Sequence, residues 1–335
     1  MYLAPDFEHQ TSLKRIAILT SGGETPGMNS AIRAIVRTAA KANIDVLGIH
    51  RGYCGLLQQD FIQLCAESVS RISQGGGSIL RCGSCAEFYQ PQIRKLAASV
   101  LRDHQIDALI VIGGRGSLTG AHFLHMESEI PVIVLPGTID NDLPFSDDAI
   151  GFDTAVNTAV DAIDKLQDTA YSHQRLFLVE VAGSSSGFVA AQVGIAVGAE
   201  MVIVPERAVH MDEVAGELSE KHRSGDLANG MVILAEGSAE PKLIRNLASA
   251  LKAKDEDPRI CVLGHIQRGG APTAHDRTLA ATLGNSAVHA LLGGETHCML
   301  GVQKGAIIPV DLKSVTLGTK PLPRAVIRLV EETGR

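Results

Sequence analysis

Short runs of apolar, often β-branched residues recur along the chain, separated by polar and glycine-containing stretches. The runs cover residues 16–20, 46–49, 108–112, 132–135, 176–181, 201–204, 231–235 and 260–263. Several are apolar at successive positions, which is typical of strands that are covered on both faces of a sheet. We therefore predict a strand at each run.

Helical patterns lie between many of these runs. The clearest cover residues 29–42, 153–169 and 279–292. Strands that alternate with helices indicate βαβ units and a mainly parallel sheet. Eight strands in 335 residues fit two lobes better than one sheet, so we predict an α/β fold with two lobes. No Pro-rich or Ser-rich linker separates the lobes, so we expect them to exchange segments.

Composition indicates an ordinary globular protein and argues against several function classes. Lys and Arg number 30 against 37 Asp and Glu, a net charge of −7, so we expect neither nucleic acid nor a membrane surface as partner. Hydrophobic residues make up 45% of the chain, and no apolar run approaches the ~20 residues that span a bilayer. Residues 1–14 lack the apolar stretch of a signal peptide, so we expect a cytoplasmic protein.

Three glycine-rich segments follow predicted strands, where open α/β sheets collect their ligands. They are residues 21–29 (SGGETPGMN), 113–117 (GGRGS) and 136–142 (PGTIDND). A strand that leads through glycine into a helix directs free backbone N–H groups at one place, which favours phosphate binding. A tight turn between strand and helix explains the first segment equally well.

The second and third segments allow further interpretations. Gly114-x-Gly116 is a weak match to a dinucleotide-binding loop, because Thr119 takes the position of the third glycine. The P-loop sequence G-x-x-x-x-G-K-[ST] does not occur, which excludes a P-loop kinase on motif grounds. Asp140 and Asp142 could supply a general base or a metal ligand, although a plain turn also favours Asp and Asn.

A fourth glycine-containing segment, residues 264–270 (GHIQRGG), also follows a predicted strand. His265 and Arg268 stand three apart beside glycines, which indicates an anion clamp because a guanidinium grips phosphate with two hydrogen bonds. A lone His or Arg is more often a surface or core residue. The presence of the other loops favours the clamp.

Taken in order, these segments resemble the bacterial 6-phosphofructokinase family. The resemblance extends from about Arg15 to the C-terminal helix and rests on TSGGETPGMNSAIR, GGRGS, PGTIDND, IGFDTAVNT, SHQR, AEG and LGHIQRGG. It implies two Rossmann-like lobes: residues 1–151 with 267–317 on the nucleotide side, and 152–266 with 318–335 on the sugar-phosphate side. It also implies phosphoryl transfer from ATP, with Mg²⁺, to the 1-hydroxyl of fructose 6-phosphate.

The resemblance implies a role for each residue that matches a family motif. Asp140 matches the general base, with Thr138 and Asp142 in the surrounding sugar and metal shell and Asp142 as the Mg²⁺ ligand. The implied sugar-phosphate ligands are Glu236, His265 and Arg268, together with Arg175 and Arg259 from an adjacent subunit. The implied nucleotide-side residues are Gly23, Tyr53, Arg81, Gly116 and Ser117. Sites shared between subunits imply a homo-oligomer, usually a tetramer.

The donor side departs from the family pattern. Where the family has GGDGS, with the Asp helping to hold Mg²⁺, this chain has the fixed cation Arg115. Ser184 replaces an arginine that the family uses in the transition state, and Ser84 replaces a nucleotide-side arginine for which the nearby Arg81 is expected to compensate. Pyrophosphate-dependent relatives change the glycine after GGD to Asp, whereas Gly116 is retained here, so we favour ATP.

Two further features of the sequence each have two interpretations. Arg33 and Arg37 match arginines of an effector site that the family places between subunits. Ala66 and Gln167 replace two other residues of that site. The alternative interpretation is that the two arginines form a solvated helix face. Cys82-x-x-Cys85 has too few partners for structural zinc and is either a redox pair or, as we prefer, two idle thiols.

These observations leave several functions to be distinguished. The first is an active kinase, and the second is a catalytically impaired homologue that binds a sugar phosphate or nucleotide and regulates a partner. The third is a kinase with a shifted acceptor or donor, because Ala182 and Ser184 change the predicted sugar pocket. A dehydrogenase built on the Gly114 loop is the weakest alternative.

Overall fold

The computed structural model describes residues 2–183, 185–225, 230–237 and 243–334. The chain divides into two compact units. The first comprises Met1–Thr138, Leu143–Thr154 and Arg268–Lys320, and the second comprises Ile139–Asp142, Ala155–Gln267 and Pro321–Arg335. The chain therefore passes from one unit to the other several times.

Strands and helices alternate along most of the chain. The strands are β1 (Arg15–Ser21), β2 (Asp45–Ile49), β3 (Phe61–Leu64), β4 (Ala108–Gly113), β5 (Val132–Pro136), β6 (Phe177–Val181), β7 (Met201–Ile203), β8 (Met231–Ala235), β9 (Arg259–Val262), β10 (His297–Gln303) and β11 (Ala306–Asp311). The helices are α1 (Met28–Lys41), α2 (Gly52–Leu57), α3 (Pro91–Asp103), α4 (Arg115–Ser128), α5 (Phe152–His173), α6 (Phe188–Val197), α7 (Met211–Ser224), α8 (Leu243–Lys252), α9 (Ala274–Leu292), α10 (Leu312–Leu317) and α11 (Arg324–Thr333). Short 3₁₀ turns cover Ala86–Tyr89 and Gly264–Arg268. Among the described residues, none of the helices combines the length and apolar character needed to cross a membrane.

The first unit contains a seven-stranded sheet in the order β11-β10-β5-β4-β1-β2-β3. The five inner strands are parallel, whereas β3 and β11 pair antiparallel at the edges. All eight predicted strands are present in the protein, but β3, β10 and β11 were not predicted. Strand β10 has no unbroken β-branched run, and β11 contains Pro309, which an edge strand tolerates because it needs fewer backbone donors.

Successive residues of the central strands are buried in cores on opposite faces of this sheet. Ile16 and Ile18 of β1 pack in a core that includes residues of α1 and α9. Ala17 and Leu19 pack in the other core, with residues of α3 and α4. Because side chains alternate along a strand, apolar residues at every position require cover on both faces. The predicted parallel α/β architecture is confirmed.

The second unit contains a parallel four-stranded sheet in the order β7-β8-β6-β9. Helices α7 and α8 cover a core that includes Leu178 of β6 and Leu234 of β8. Strand β9 lies at the edge, where Ile260 is 46% and Val262 is 56% exposed. This edge therefore presents apolar side chains to the outside of the subunit.

Candidate active site

Three glycine-rich loops begin next to one another at the carboxyl edge of the first sheet. Their strands end at Ser21, Gly113 and Pro136, and the register pairs Ser21 with Gly113 and Gly113 with Pro136. Parallel strands bring their carboxyl ends to a single edge. The strand order β5-β4-β1 thus makes immediate neighbours of segments that lie far apart along the chain.

The first loop needs glycine for its shape. Gly22 and Gly27 have φ angles of +83° and +108°, in the left-handed region that other residues rarely adopt. Space is also limited, because a Cβ atom on Gly27 would lie 2.8 Å from the Ile150 side chain. The loop therefore holds one conformation that leads from β1 directly into α1.

The second loop contacts the first through Ser117. A Cβ atom on Gly113 would lie 2.6 Å from Ser117 Oγ, and one on Gly22 would lie 3.3 Å from the same atom. Tyr53 supports this serine from behind, since its hydroxyl donates to Ser117 O at 2.6 Å and its ring stacks on Phe88 at 4.0 Å. Burial raises the pKa of Tyr53 above its usual value, so the phenol stays protonated as a donor. Tyr53 is thus a buried support of the loop.

The third segment carries the carboxylates. Thr138 is buried, and its Cβ would be 3.6 Å from a Cβ placed on Gly114. Asp140 and Asp142 follow in the second unit, where Ser186 Oγ donates to Asp140 O at 3.0 Å. Asn141 between them has φ +49°, a conformation that Asn tolerates better than most residues. The asparagine therefore shapes the turn that presents the two aspartates.

Arg268 lies against the first glycine loop. A Cβ atom on Gly23 would be 2.5 Å from Arg268 Nη1, so a side chain at position 23 would displace the guanidinium. Arg268 is half-buried and makes no hydrogen bond or ion pair within the part of the chain that the structure describes. The structure thus brings together two residues, Gly23 and Arg268, that the sequence assigned to different substrates.

Gln267 is a site residue that sequence reasoning missed. Its buried amide accepts from Ala182 N at 2.8 Å and donates to Ala155 O at 3.3 Å. These bonds fix the 3₁₀ turn that carries His265, which is exposed. The position of Gln267 inside GHIQRGG was the available signal, but a neutral amide between two charged candidates suggested no role.

The remaining predicted sugar-phosphate residues divide between opposite edges of the second sheet. Glu236 directly follows β8, and His265 follows β9, so both lie at the carboxyl edge. Arg259 begins β9 and Arg175 precedes β6, so both lie at the amino edge. Since these strands are parallel, the structure does not bring the two arginines together with Glu236 within one subunit. Arg259 instead pairs with Asp257 at 3.0 Å.

The donor-side departures have definite positions. Arg115 is the first residue of α4, and its Nη1 donates to Gly318 O at 3.1 Å. Arg81 is exposed with φ +59°, and its carbonyl accepts from Thr20 Oγ1 at 2.8 Å. Gly116 leaves open space, with Tyr89 Oη 3.6 Å from the position of a Cβ. Ser184 lies outside the described residues.

A cavity of about 760 Å³ lies beside α1 in the first unit. Arg33, Arg37 and Lys41 line it, as do His9 and His289. The two histidine rings stack, with Nε2 of His9 3.2 Å from Nδ1 of His289. The two arginines therefore line an open, basic cavity.

The six cysteines are free thiols. Burial raises the pKa of Cys82, and burial together with a hydrogen bond to Cys54 raises the pKa of Cys85 to about 12. A reactive redox pair needs a lowered thiol pKa, because the thiolate is the nucleophile. The geometry therefore favours idle thiols over a redox switch at the C-x-x-C segment.

Comparison with known proteins finds similarity over most of the chain. The family model described as Phosphofructokinase matches residues 15–291. A curated protein of Thermotoga petrophila, named ATP-dependent 6-phosphofructokinase, is 46% identical over 92% of this chain and 95% of its own length. The ATP-dependent 6-phosphofructokinase 1 of Thermus thermophilus is 45% identical over 95% of this chain and 98% of its own length. The solved phosphofructokinase of Saccharomyces cerevisiae aligns with a TM-score of 0.85 and 35% identity over 96% of this chain, which spans about half (47%) of the yeast chain.

Proposed function

The chain belongs to the phosphofructokinase family, and from this premise we propose that it transfers the γ-phosphoryl group of ATP to the 1-hydroxyl of fructose 6-phosphate. The observation that carries the proposal is the meeting of two glycine loops at Ser117, together with the contact of Gly114 with Thr138, two residues before Asp140 in the chain. The names of relatives that match nearly the whole chain support ATP as donor. On this view the first unit holds the nucleotide and the second holds the sugar phosphate.

Asp140 acts as the general base. Its carboxylate accepts the proton of the 1-hydroxyl while that oxygen bonds to the γ-phosphorus and the bond from phosphorus to ADP breaks. The products are fructose 1,6-bisphosphate, ADP and one proton. Thr138, which is buried beside Gly114, positions the acceptor for this step.

Asp142 is the residue that would hold Mg²⁺. Proteins usually bind this ion through one or two carboxylates together with substrate phosphates, and the carboxylate of Asp142 fits that donor set. The ion, when bound, neutralises charge on the donor phosphates. Among the described residues, no cluster of three or more His, Cys, Asp or Glu side chains forms a metal site. Phosphate oxygens therefore complete the coordination in this proposal.

The donor phosphates lie along the glycine loops. Gly23 and Gly116 permit close approach, Ser117 joins the two loops, and Tyr53 holds Ser117 in place. Arg81, which is exposed, is the proposed cation on the nucleotide side. Each of these residues belongs to the first unit.

The acceptor site is shared between subunits. Glu236, His265 and Arg268 come from one subunit, and Arg175 and Arg259 come from its neighbour. The separation of these two groups on opposite edges of the second sheet supports this arrangement. Exposed apolar side chains on β9, next to Arg259, support a homo-oligomer, for which we propose a tetramer. A cytoplasmic location stays a prediction from the sequence.

The basic cavity supports an allosteric site. Three cations on one face of α1, spaced four residues apart, line it, and a phosphorylated effector matches that charge. We therefore propose Arg33 and Arg37 as effector ligands. His9, Lys41 and His289 extend the site beyond the residues that the sequence pointed to.

A second candidate function is a regulatory homologue that binds fructose 6-phosphate with little turnover. The observation that favours it is Arg115, which replaces a carboxylate at the start of α4 and is tied to Gly318 O. On this view the sugar-phosphate side remains intact while donor chemistry is lost. The two candidates differ in whether a product forms.

Phosphorus NMR distinguishes the two functions. We expect purified protein with fructose 6-phosphate, Mg²⁺ and ATP to form fructose 1,6-bisphosphate, and separate samples with ADP or pyrophosphate to form none. Asp140→Asn should remove the signal, because an amide cannot accept the hydroxyl proton. The regulatory function predicts no product with any donor, in protein that still binds fructose 6-phosphate.

A further inference from the structure

We propose that Arg268 grips the phosphoryl group in transit, rather than serving only as a ligand of the sugar phosphate. This inference rests on the proposed kinase function. It assigns Arg268 a catalytic role, in which its guanidinium touches the oxygens of the transferred group.

The first observation is the position of the guanidinium. Nη1 of Arg268 occupies the space that a side chain on Gly23 would fill, 2.5 Å from the Cβ position. Gly23 itself is exposed, so this face of the loop is open to a ligand. Arg268 therefore lies on the loop that is proposed to hold the donor phosphates.

The second observation is that the guanidinium has no protein partner among the described residues. Arginine carries five N–H donors in a planar fork that matches phosphate oxygens. In contrast, Arg259 pairs with Asp257, and Arg115 donates to Gly318 O. Arg268 thus keeps all its donors available for a ligand.

The third observation is that the segment after Arg268 is anchored to the first unit. The backbone of Gly270 lies so close to Gly76 that a Cβ there would be 2.4 Å from Gly270 O. Asn29 at the start of α1 donates to Gly75 O at 3.2 Å and accepts from Ile79 N at 2.8 Å. The backbone just after Arg268 is therefore packed against the segment that Asn29 holds.

A second anchor follows at Thr273. Its backbone N–H donates to Thr154 Oγ1 at 3.0 Å, and its hydroxyl donates to Asp153 Oδ2 at 2.6 Å. Thr154 N in turn donates to the buried Asp276 at 2.8 Å. These bonds hold the backbone that follows Arg268, and a cation carried on a fixed backbone costs less reorganisation during a reaction than one on a mobile segment.

A series of close contacts links Arg268 to the aspartate segment. Arg268 lies against Gly23, the adjacent Gly22 lies against Ser117, and Gly114 lies against Thr138. Asp140, the proposed base, is two residues further along the chain. In the proposed reaction the transferred group leaves the donor loop, and Arg268 lies on that loop. Charge that develops on its equatorial oxygens would meet the free guanidinium.

The test is the effect of Arg268→Lys on separate kinetic constants. We expect kcat to fall about 10²- to 10³-fold, as for other transition-state donors, with KM for fructose 6-phosphate changed less than about threefold. ADP with aluminium fluoride and fructose 6-phosphate imitates the transition state. Its affinity, measured by calorimetry, should fall in parallel with kcat, while the affinity for ATP stays close to that of the unaltered protein. Arg102→Lys, at a surface arginine that donates to Ser128 O, is the matched control and should change none of these constants.

Gly23→Ala provides a second variant, because it displaces the guanidinium without removing it. Combining it with Arg268→Lys should lower kcat no further than either change alone, since both remove the same interaction. The inference is overturned when Arg268→Lys raises KM for fructose 6-phosphate and leaves kcat unchanged, a result that leaves the kinase function intact. Absence of product from the unaltered protein overturns the proposed function and this inference together.

Discussion

Arg115 is the single residue whose chemistry most changes what the site can do. It places a guanidinium at the first residue of α4, just after the end of β4 and two residues before Ser117 in the same helix. A fixed cation there attracts donor phosphates but cannot ligate a metal ion. In the proposed kinase, the residue would exchange metal binding for direct charge neutralisation at this position.

Replacing this residue tests that exchange. We expect Arg115→Asp to raise kcat at saturating Mg²⁺ by about tenfold, because a carboxylate adds a ligand for the ion. Arg115→Ala removes the charge without adding a ligand and should lower kcat. Steady-state rates over a range of Mg²⁺ concentrations measure both effects. Equal rates for the Asp and Ala variants would contradict a role for position 115 in charge balance.

At the scale of single residues, some features of the site could be predicted from the sequence and others could not. The glycine loops and aspartates were recognisable because their chemistry is local to short segments. The contact between Gly23 and Arg268 joins residues that are far apart along the chain, and no local pattern encodes it. Gln267 escaped notice for the same reason, since its partners Ala182 and Ala155 are distant in sequence.

Elements were predictable where their burial is uniform. Strands such as β4, buried at every position, produce an apolar run that any sequence reading detects. Strand β3 is short and partly exposed, and β11 buries only Ile307, its other positions being half-buried or exposed. Those strands are held by pairing with a neighbour, which the pattern of their own residues does not reveal.

A histidine cluster joins α4 to β10. His122 Nδ1 lies 2.9 Å from His297 Nε2, and the His125 ring stacks on His297 at 4.3 Å. Burial lowers the pKa of His122 and His297, helped by the nearby His125, while Asp311 opposes the shift in both and Lys313 adds to it at His122. These two histidines therefore resist protonation in the folded protein.

The pH dependence of stability follows from that resistance. Below the ordinary histidine pKa the unfolded chain binds protons that folded His122 and His297 do not, so the free energy of unfolding falls as pH drops from about 7.5 to about 5.5. We expect the free energy of unfolding of the double variant His122→Gln/His297→Gln, measured by urea denaturation, to fall less steeply as the pH drops.

His275→Gln is the control, for which the effect on this slope has the opposite sign. Burial alone would lower the pKa of His275, but its bond to Asp148 raises it, so folded His275 stabilises the protein on the acid side. An unchanged slope in the double variant would contradict this account.

At the scale of the whole molecule, the two edges of the second sheet separate residues that one site requires. Arg175 and Arg259 lie at the amino edge, and Glu236 and His265 at the carboxyl edge. Burial and strand order explain this separation, and the sequence alone contained the residues but not their positions. In the proposed oligomer, an interface between copies of the chain would bring these residues into one site.

Mixed oligomers test the shared site. Asp140→Asn and Arg259→Ala should each be inactive alone, because one lacks the base and the other lacks a phosphate ligand. Unfolding and refolding the two together should restore activity to about a quarter of the normal value, since about that fraction of sites then receives both intact residues. The unmixed variants, refolded in parallel, are the controls. No recovery in oligomers shown to contain both chains would place Arg259 and Asp140 in separate sites.

The opposite placement of Arg175 and Glu236 has a consequence for how the protein behaves on dilution. A site built from two subunits exists only while the subunits remain together, so specific activity depends on protein concentration. Fructose 6-phosphate, held from both sides, would itself strengthen the assembly by the same free energy with which the assembly strengthens its binding. In the proposed oligomer, the amount of protein in solution would thus set how sensitively it responds to its substrate, even before any effector is present.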